Sequence, residues 1–332
     1  MMIYTDPVAA APAFTQQLAQ AQRILLLTHI NPDGDAIGSL LGAFHVLQAI
    51  GKEPIPVAAS TLPLYSAALA GVEHVTIYRA GDALPDADLI WMLDTASLER
   101  VGQIYRDHGP AMTARPLMIV DHHVTNDGAG DLNLIQPAAA SCADLLFRLF
   151  VAMDLPISPA AATCLLLGTT TDTQSFQTSV TTPQTLRTAA NMLDAGADQR
   201  LVVNAVYFSM PVETVQLSGI ALGLLRCEGG LLWARVSQEM LLATGAADEA
   251  TDEAIIRMQR VRGMRVSALF KERADGTVKI SLRSAPGINV AQIAQTWGGG
   301  GHAQAAGADL PMGLDEAEAV VLPLLRAAIG LS

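Results

Sequence analysis

The sequence predicts an α/β protein of two domains: a larger one built on a parallel sheet with helices on both faces, and a smaller α/β one behind it. Three observations carry this. Short apolar runs alternate with segments of helical period in the first part of the chain, the pattern of a sheet wound with right-handed crossovers. Near residues 209–217 that pattern gives way to hairpin-like segments. The length of 332 residues exceeds one domain of roughly 100–200 residues and allows a sizeable core in each of two. The domains are accordingly expected at 1–210 and 218–332.

The apolar runs at 23–28 (RILLLT), 88–93 (DLIWML) and 116–120 (PLMIV) each stop where polar residues begin. They read as parallel strands buried on both faces. Between the first two, Leu40, Leu41, Phe44 and Leu47 fall at helical spacing from Ile37 onward, and Gly51 suits the end of that helix. From Ser141 to about Leu222 the period is mostly helical. Beyond it, LRCEGGLLWARVS turns at Gly229 and Gly230, and MRVSALFKERADGTVKISLRS turns at Asp275 and Gly276, as two hairpins.

Hydrophobic residues make up 51% and charged residues 16% of the chain, which excludes disordered and highly charged low-complexity classes. With 20 Lys and Arg against 32 Asp and Glu, the net charge is −12. That argues against capture of long duplex DNA or of an anionic membrane. A small anionic substrate stays compatible, because bound divalent cations reverse the local field of clustered carboxylates. Cys142, Cys164 and Cys227 form no CxxC pair, so neither a disulfide framework nor a structural zinc site is expected. The apolar start has no basic residue, and no run reaches the roughly 18 apolar residues of a membrane span. A cytoplasmic protein is the expectation, and the Ala- and Leu-rich helical middle would allow a homodimer.

In an open parallel sheet, ligands bind beyond the carboxyl ends of the strands. Here those ends share one chemistry. The first runs into THINPDGDAIGS with His29, Asp33 and Asp35; the next ends at Asp94; the third runs into Asp121, His122 and His123; a later helix breaks into GTTTDTQSF with Asp172. Carboxylates and imidazoles without thiolates suit oxygen-preferring divalent metals such as Mn²⁺. They are more ligands than one ion needs and fit a two-ion site that stabilises attacking and leaving oxygens at phosphorus, so phosphoester hydrolysis is the expected reaction. Asp121 is expected to orient a neighbour. Adjacent imidazoles at one strand end are not expected to aim at one ion, so one of His122 and His123 is expected to be left for substrate. In the second domain, Gly298 to Gly301 with His302, a helix expected to follow, and Arg283 at a strand end form an expected anion clamp.

With these residues assembled, the sequence resembles the DHH phosphoesterase family, in the branch that couples DHH to DHHA1 and includes nanoRNase and pAp phosphatase-like proteins. The carrying motifs are HINPDGDAIGS, LDTAS, DHH and GTTTDTQSF in order, then SLRS and GGGGHAQAAG. The resemblance implies a DHH domain and a DHHA1 domain with an active-site cleft between them, and two divalent metals, most simply Mn²⁺. It implies His29, Asp33 and Asp94 on one ion and Asp35, Asp94, His122 and Asp172 on the other. Asp94, His123 and Asp121 would act in catalysis. Arg283, Ser284, Gly299, Gly300, Gly301 and His302 would bind substrate. The implied substrates are very short oligonucleotides, adenosine 3′,5′-bisphosphate, or both. Hydrolysis of cyclic di-AMP or a linear dinucleotide is the alternative, and a nucleotide-binding regulator without turnover fits less well.

Overall fold

A computed structural model gives the fold for residues 1–331, with the side chains of Glu249 and His302 outside the described residues. The chain divides into two compact units, Met1–Ser209 and Met210–Ser332.

In chain order the first unit contains β1 (Met2–Tyr4), α1 (Pro7–Ala19), β2 (Arg23–Leu27), α2 (Gly34–Ala49), β3 (Glu53–Ala58), β4 (Thr76–Ile77), β5 (Leu89–Leu93), α3 (Gln103–Thr113), β6 (Leu117–Asp121), β7 (Leu132–Ile135), α4 (Cys142–Ala152), α5 (Pro159–Asp172), α6 (Pro183–Asp194) and α7 (Gln199–Tyr207). The sheet runs β1-β7-β6-β5-β2-β3-β4, and every neighbouring pair is parallel. Its central strands β2, β5 and β6 are apolar on both faces because both are covered. Ile24, Leu26, Trp91, Met118 and Val120 pack under α1, α2, α4 and α5. Leu25, Leu27, Ile90, Met92 and Ile119 pack with Ile104 and Met112 of α3. Each such side chain contributes about 1.5–3 kcal/mol by burial. β3 and β4 lie on one side of β2 and β5 on the other, so the winding reverses between β2 and β5, where an open α/β sheet leaves a crevice at its carboxyl edge.

The helices begin where the sequence supplies caps. Asp33 caps α2, Ser141 caps α4, Ser158 caps α5 ahead of Pro159, and Thr182 caps α6 in a reciprocal box with Thr185. α2 thus starts at Gly34, three residues before the apolar spacing that reveals it. Gly51 closes it with φ +76, as a residue beyond a helix end requires.

The second unit contains α8 (Val212–Gly223), β8 (Arg226–Glu228), β9 (Leu231–Val236), α9 (Gln238–Thr244), α10 (Thr251–Gln259), β10 (Val266–Glu272), β11 (Val278–Ser284), α11 (Val290–Gln295), β12 (Gly300–His302), β13 (Ala305–Leu310) and α12 (Leu314–Ala328). Its mixed sheet runs β12-β13-β11-β10-β9-β8. Only β9 and β10 are parallel; β8 with β9 and β10 with β11 are the two hairpins. Alternation along β11 sends Val278, Ile280 and Leu282 to α11 and α12, while Leu232, Ala234 and Leu269 face α8, α9 and α10.

The glycine run does not lead into a helix as the sequence suggested. Gly300 to His302 form β12, which turns into β13, and the nearest helix, α11, precedes it. The reason is steric. A Cβ on Gly299 would lie 2.2 Å from the Gly307 carbonyl oxygen, and one on Gly301, at φ +135, 2.4 Å from that of Ala305. Glycine here lets two strands close on each other.

Candidate active site

Three adjacent strands, β6, β5 and β2, end at the same edge of the first sheet, and the ionisable side chains stand where they end. β2 delivers His29, β5 delivers Asp94, and β6 delivers Asp121, His122 and His123. The N-terminus of α2 adds Asp33 and Asp35, and the last residue of α5 is Asp172. α2 and α5 approach closely because Gly34, Gly38 and Gly42 recur every four residues along one face of α2. A Cβ on Gly38 would fall 2.5 Å from the Cys164 carbonyl oxygen and 2.8 Å from the Gly168 nitrogen. This spacing, visible in the sequence but not read there, brings Asp35 and Asp172 to one site.

The donor atoms gather into overlapping groups, each within 4.8 Å: His29, Asp33 and Asp94; Asp35, His122 and Asp172; and Asp94, His122 and His123. Asp94 links them. Its Oδ2 lies 3.6 Å from His29 Nε2, and its Oδ1 lies 3.5 Å from His122 Nε2. His122 Nε2 is also 3.8 Å from Asp35 Oδ2 and 3.6 Å from Asp172 Oδ2. Asp33 stands 4.0 Å from His29 Nε2 while its Oδ1 caps α2 by accepting from the Asp35 and Ala36 amides.

Asp35 is buried, and both its oxygens accept amides at the start of α4, from Cys142 at 2.6 Å and Ala143 at 2.9 Å. The N-terminal dipole of α4 thereby steadies its charge. The cap motif Ser141-x-x-Asp144 was the available signal for this contact. Asp121, fully buried, stands outside the three groups. Its Oδ1 accepts from His123 Nδ1 at 2.8 Å, and its Oδ2 accepts from the Asn126 amide at 2.7 Å.

The expectation that neighbouring imidazoles avoid one ion does not hold as geometry. Donor atoms of His122 and His123 both reach the neighbourhood of Asp94 Oδ1, at 3.5 and 3.7 Å, and the rings sit 4.9 Å apart. What distinguishes them is that His123 Nδ1 is bonded to Asp121, whereas His122 Nε2 faces three carboxylates.

This assembly is electrostatically costly by itself. Burial, followed by the charges of Asp94, Asp172 and Asp33, holds the Asp35 carboxyl well above the usual carboxylate range. Burial also pushes Asp172 up to about 6, with Asp94 reinforcing and His122 opposing. Burial works against the charge of Asp94, yet His29 and His122 hold its pKa below the ordinary value. The bond to Asp121 lifts His123 to about 9. Asp94 Oδ1 is buried and accepts no hydrogen bond among the described residues, and Asp94 sits at φ +51, a strained conformation that clusters at functional sites. Crowded carboxylates with an unbonded oxygen fit divalent cations, which would supply the missing positive charge.

In the second unit, Arg283 lies near the end of β11, where it donates to the Leu282 carbonyl at 3.0 Å. Burial lowers its pKa, with Asp252 opposing. Ser284 is buried and donates to the Ile288 carbonyl at 2.7 Å, which ties the following loop. Gly300 has open space where a Cβ would stand. The His302 side chain lies outside the described residues.

No helix among the described residues is long and apolar enough to cross a membrane. The family model described as "DHH family, N-terminal domain" matches residues 23–169, and that described as "DHHA1 domain" matches 234–329. The bifunctional oligoribonuclease and PAP phosphatase NrnA of Thermus thermophilus is 34% identical over 306 residues, 91% of this chain and 89% of that one. The cyclic-di-AMP phosphodiesterase GdpP of Geobacillus thermodenitrificans is 26% identical over 90% of this chain, which corresponds to 46% of GdpP. Among solved structures, an exopolyphosphatase-related protein from Bacteroides fragilis matches with a TM-score of 0.89 at 23% identity, covering 97% of this chain and 96% of that one. That likeness bears on the fold.

Proposed function

The chain belongs to the DHH family of phosphoesterases, and from that premise we propose that it hydrolyses very short oligonucleotides, adenosine 3′,5′-bisphosphate, or both, with two divalent cations. One observation carries the two-cation reading: the two oxygens of one buried carboxylate, Asp94, face different histidines, His29 at 3.6 Å and His122 at 3.5 Å. His29, Asp33 and Asp94 would hold one ion, and Asp35, Asp94, His122 and Asp172 the other. A donor set of oxygen and imidazole nitrogen favours Mn²⁺. When bound, the ions supply Lewis-acid polarisation of the phosphoryl group and acidify water.

The chain's own residues do the rest. Asp94 keeps the two ligand sets in register because its backbone is fixed between β5 and β6, its amide donating to the Val120 carbonyl at 3.0 Å. His123, held through Nδ1 by Asp121, would donate to a phosphoryl oxygen as charge builds there. Asp121 acts through His123 by fixing its ring. On the second unit, Arg283 with Gly299, Gly300, Gly301 and His302 would bind substrate. Ser284 ties the segment that follows β11 by donating to the Ile288 carbonyl at 2.7 Å.

The relatives support both a nanoRNase reading and, more distantly, a cyclic dinucleotide reading. A panel of dinucleotides, longer oligonucleotides, adenosine 3′,5′-bisphosphate and cyclic di-AMP, compared by kcat/KM with Mn²⁺, tests them. Dinucleotides or the bisphosphate should lead. A lead for cyclic di-AMP would replace the first reading with the second, and no turnover of any phosphoester would leave a binding protein.

A further inference from the structure

Asn126 lies three residues beyond the histidine pair and outside every group of metal-ligating donors described above. Its side-chain amide makes three contacts. Nδ2 donates to Asp121 Oδ2 at 2.7 Å and to the Thr95 carbonyl at 3.0 Å, while Oδ1 accepts from the Gly128 amide at 2.8 Å. The amide orientation follows from these partners, since a flipped group would set an oxygen against two oxygens. Its backbone amide also donates to the His123 carbonyl at 3.2 Å.

These contacts join the two strand ends that matter most. Thr95 follows Asp94 directly, and Asp121 closes β6. Asp121 is fully buried and has few ways to be held. Its Oδ1 takes the His123 ring and the His122 backbone amide, each at 2.8 Å. Asn126 takes Oδ2 and so fixes the rotation of the carboxylate about its own axis. That rotation sets where the His123 ring stands.

Resting on the phosphoesterase reading, we infer that Asn126 is a positioning residue for the reaction. It locks Asp121 so that His123 meets the phosphoryl group in one orientation, and it ties that orientation to the segment carrying Asp94. Residues that orient the groups around a metal site change activity by about 10–100-fold when removed. Asparagine suits the place because the group must donate twice and accept once. Aspartate of the same shape would set a carboxylate against Asp121 and the Thr95 carbonyl.

The test uses the full chain with Asn126→Ala and the isosteric Asn126→Asp. In proton–nitrogen NMR of histidine-labelled, Mg²⁺-loaded protein, the Nδ1–H of His123 should be slow to exchange in the wild type and fast in Asn126→Ala. Turnover of bis(p-nitrophenyl) phosphate with Mn²⁺ should fall about 10–100-fold in kcat, with KM and Mn²⁺ binding little changed. Asn126→Asp should lose at least as much. In a His123→Ala background, Asn126→Ala should add less than about 3-fold, because the two act as one unit. A slowly exchanging Nδ1–H retained in Asn126→Ala, multiplicative losses in the double variant, or an Asn126→Asp enzyme as active as wild type would each overturn the assignment. Absence of turnover in the wild type would instead count against the phosphoesterase reading, and the NMR comparison would still decide the role of Asn126.

Discussion

The strand-end cluster of the first unit and the glycine loop of the second are both dense in motif residues, yet they stand on different physical footings. In the first, Asp35, Asp94 and Asp172 are brought beside one imidazole, within 3.5–3.8 Å of His122 Nε2. Burial, reinforced by the charges of neighbouring carboxylates, raises the pKa of Asp35 and Asp172. In the second, Gly299 and Gly301 have a packing reason in full, the approach of β12 to β13. Buried like charges that cost stability point to chemistry by themselves. Glycines point to it only where sterics leave them unexplained, as at Gly300.

The comparison can be broken at several points. Asp94→Ala should give the largest effect, a fall in turnover on the order of 1,000-fold, because charge stabilisation by bound cations is worth several kcal/mol at about 1.4 kcal/mol per tenfold. Kinetics with bis(p-nitrophenyl) phosphate and a metal titration check it, and wild-type turnover with two ions bound would sink the shared-ligand assignment. Next comes Gly299→Ala, expected to cost about 1–3 kcal/mol through overpacking against Gly307, whereas Gly300→Ala should leave the melting curve unchanged. If Gly300→Ala melts the second unit as Gly299→Ala does, the steric division between them is wrong.

Arg283→Ala should lose about 10-fold in kcat/KM on a dinucleotide or bisphosphate, the scale of one charge-assisted contact, and almost nothing on bis(p-nitrophenyl) phosphate. Equal losses on both would move Arg283 into the chemical step. The smallest effect concerns pH in metal-free protein. Asp172 titrates at about 6 in the fold, above an ordinary carboxyl near 4, so the fold binds its proton more tightly than the unfolded chain does. Its stabilising contribution is therefore full below pH ~4 and lost as pH rises through about 6. Tm should fall across that window, less so in Asp172→Asn, and a fall unchanged by the substitution would assign the effect elsewhere.

Much of this was legible because burial on both faces leaves strands such as Leu89–Leu93 uniformly apolar and their ends abruptly polar. The strands that escaped notice lack that signature. β3 carries Pro54 and Pro56, tolerated because β4 pairs only with Val57 and Ala58 and leaves the prolines on an open edge. β7 hides a polar residue in a core position. Asn133 is buried there because its side chain bonds Gly130 and the Met2 carbonyl, partners remote or invisible in sequence. The gathering of carboxylates and imidazoles could be anticipated from the sequence, because the apolar runs stop where those residues begin. The loop after Trp297 could not, because a glycine run is equally compatible with a helix start and with a tight strand pair, and only the approach of Ala305 to Gly307 decides between them.

The glycine face of α2 gives the cluster a property that no ligand substitution would reveal. Backbone touches backbone where Gly38 meets Cys164 and Gly168, so the span between Asp35 and Asp172 is gauged by main-chain contact. Such a gauge has a hard lower stop and no side chain to soften it. Replacing a side chain in the cluster changes which donors are present, whereas a methyl group on the glycine face of α2, at Gly38 above all, would wedge the helices apart and widen the span between Asp35 and Asp172.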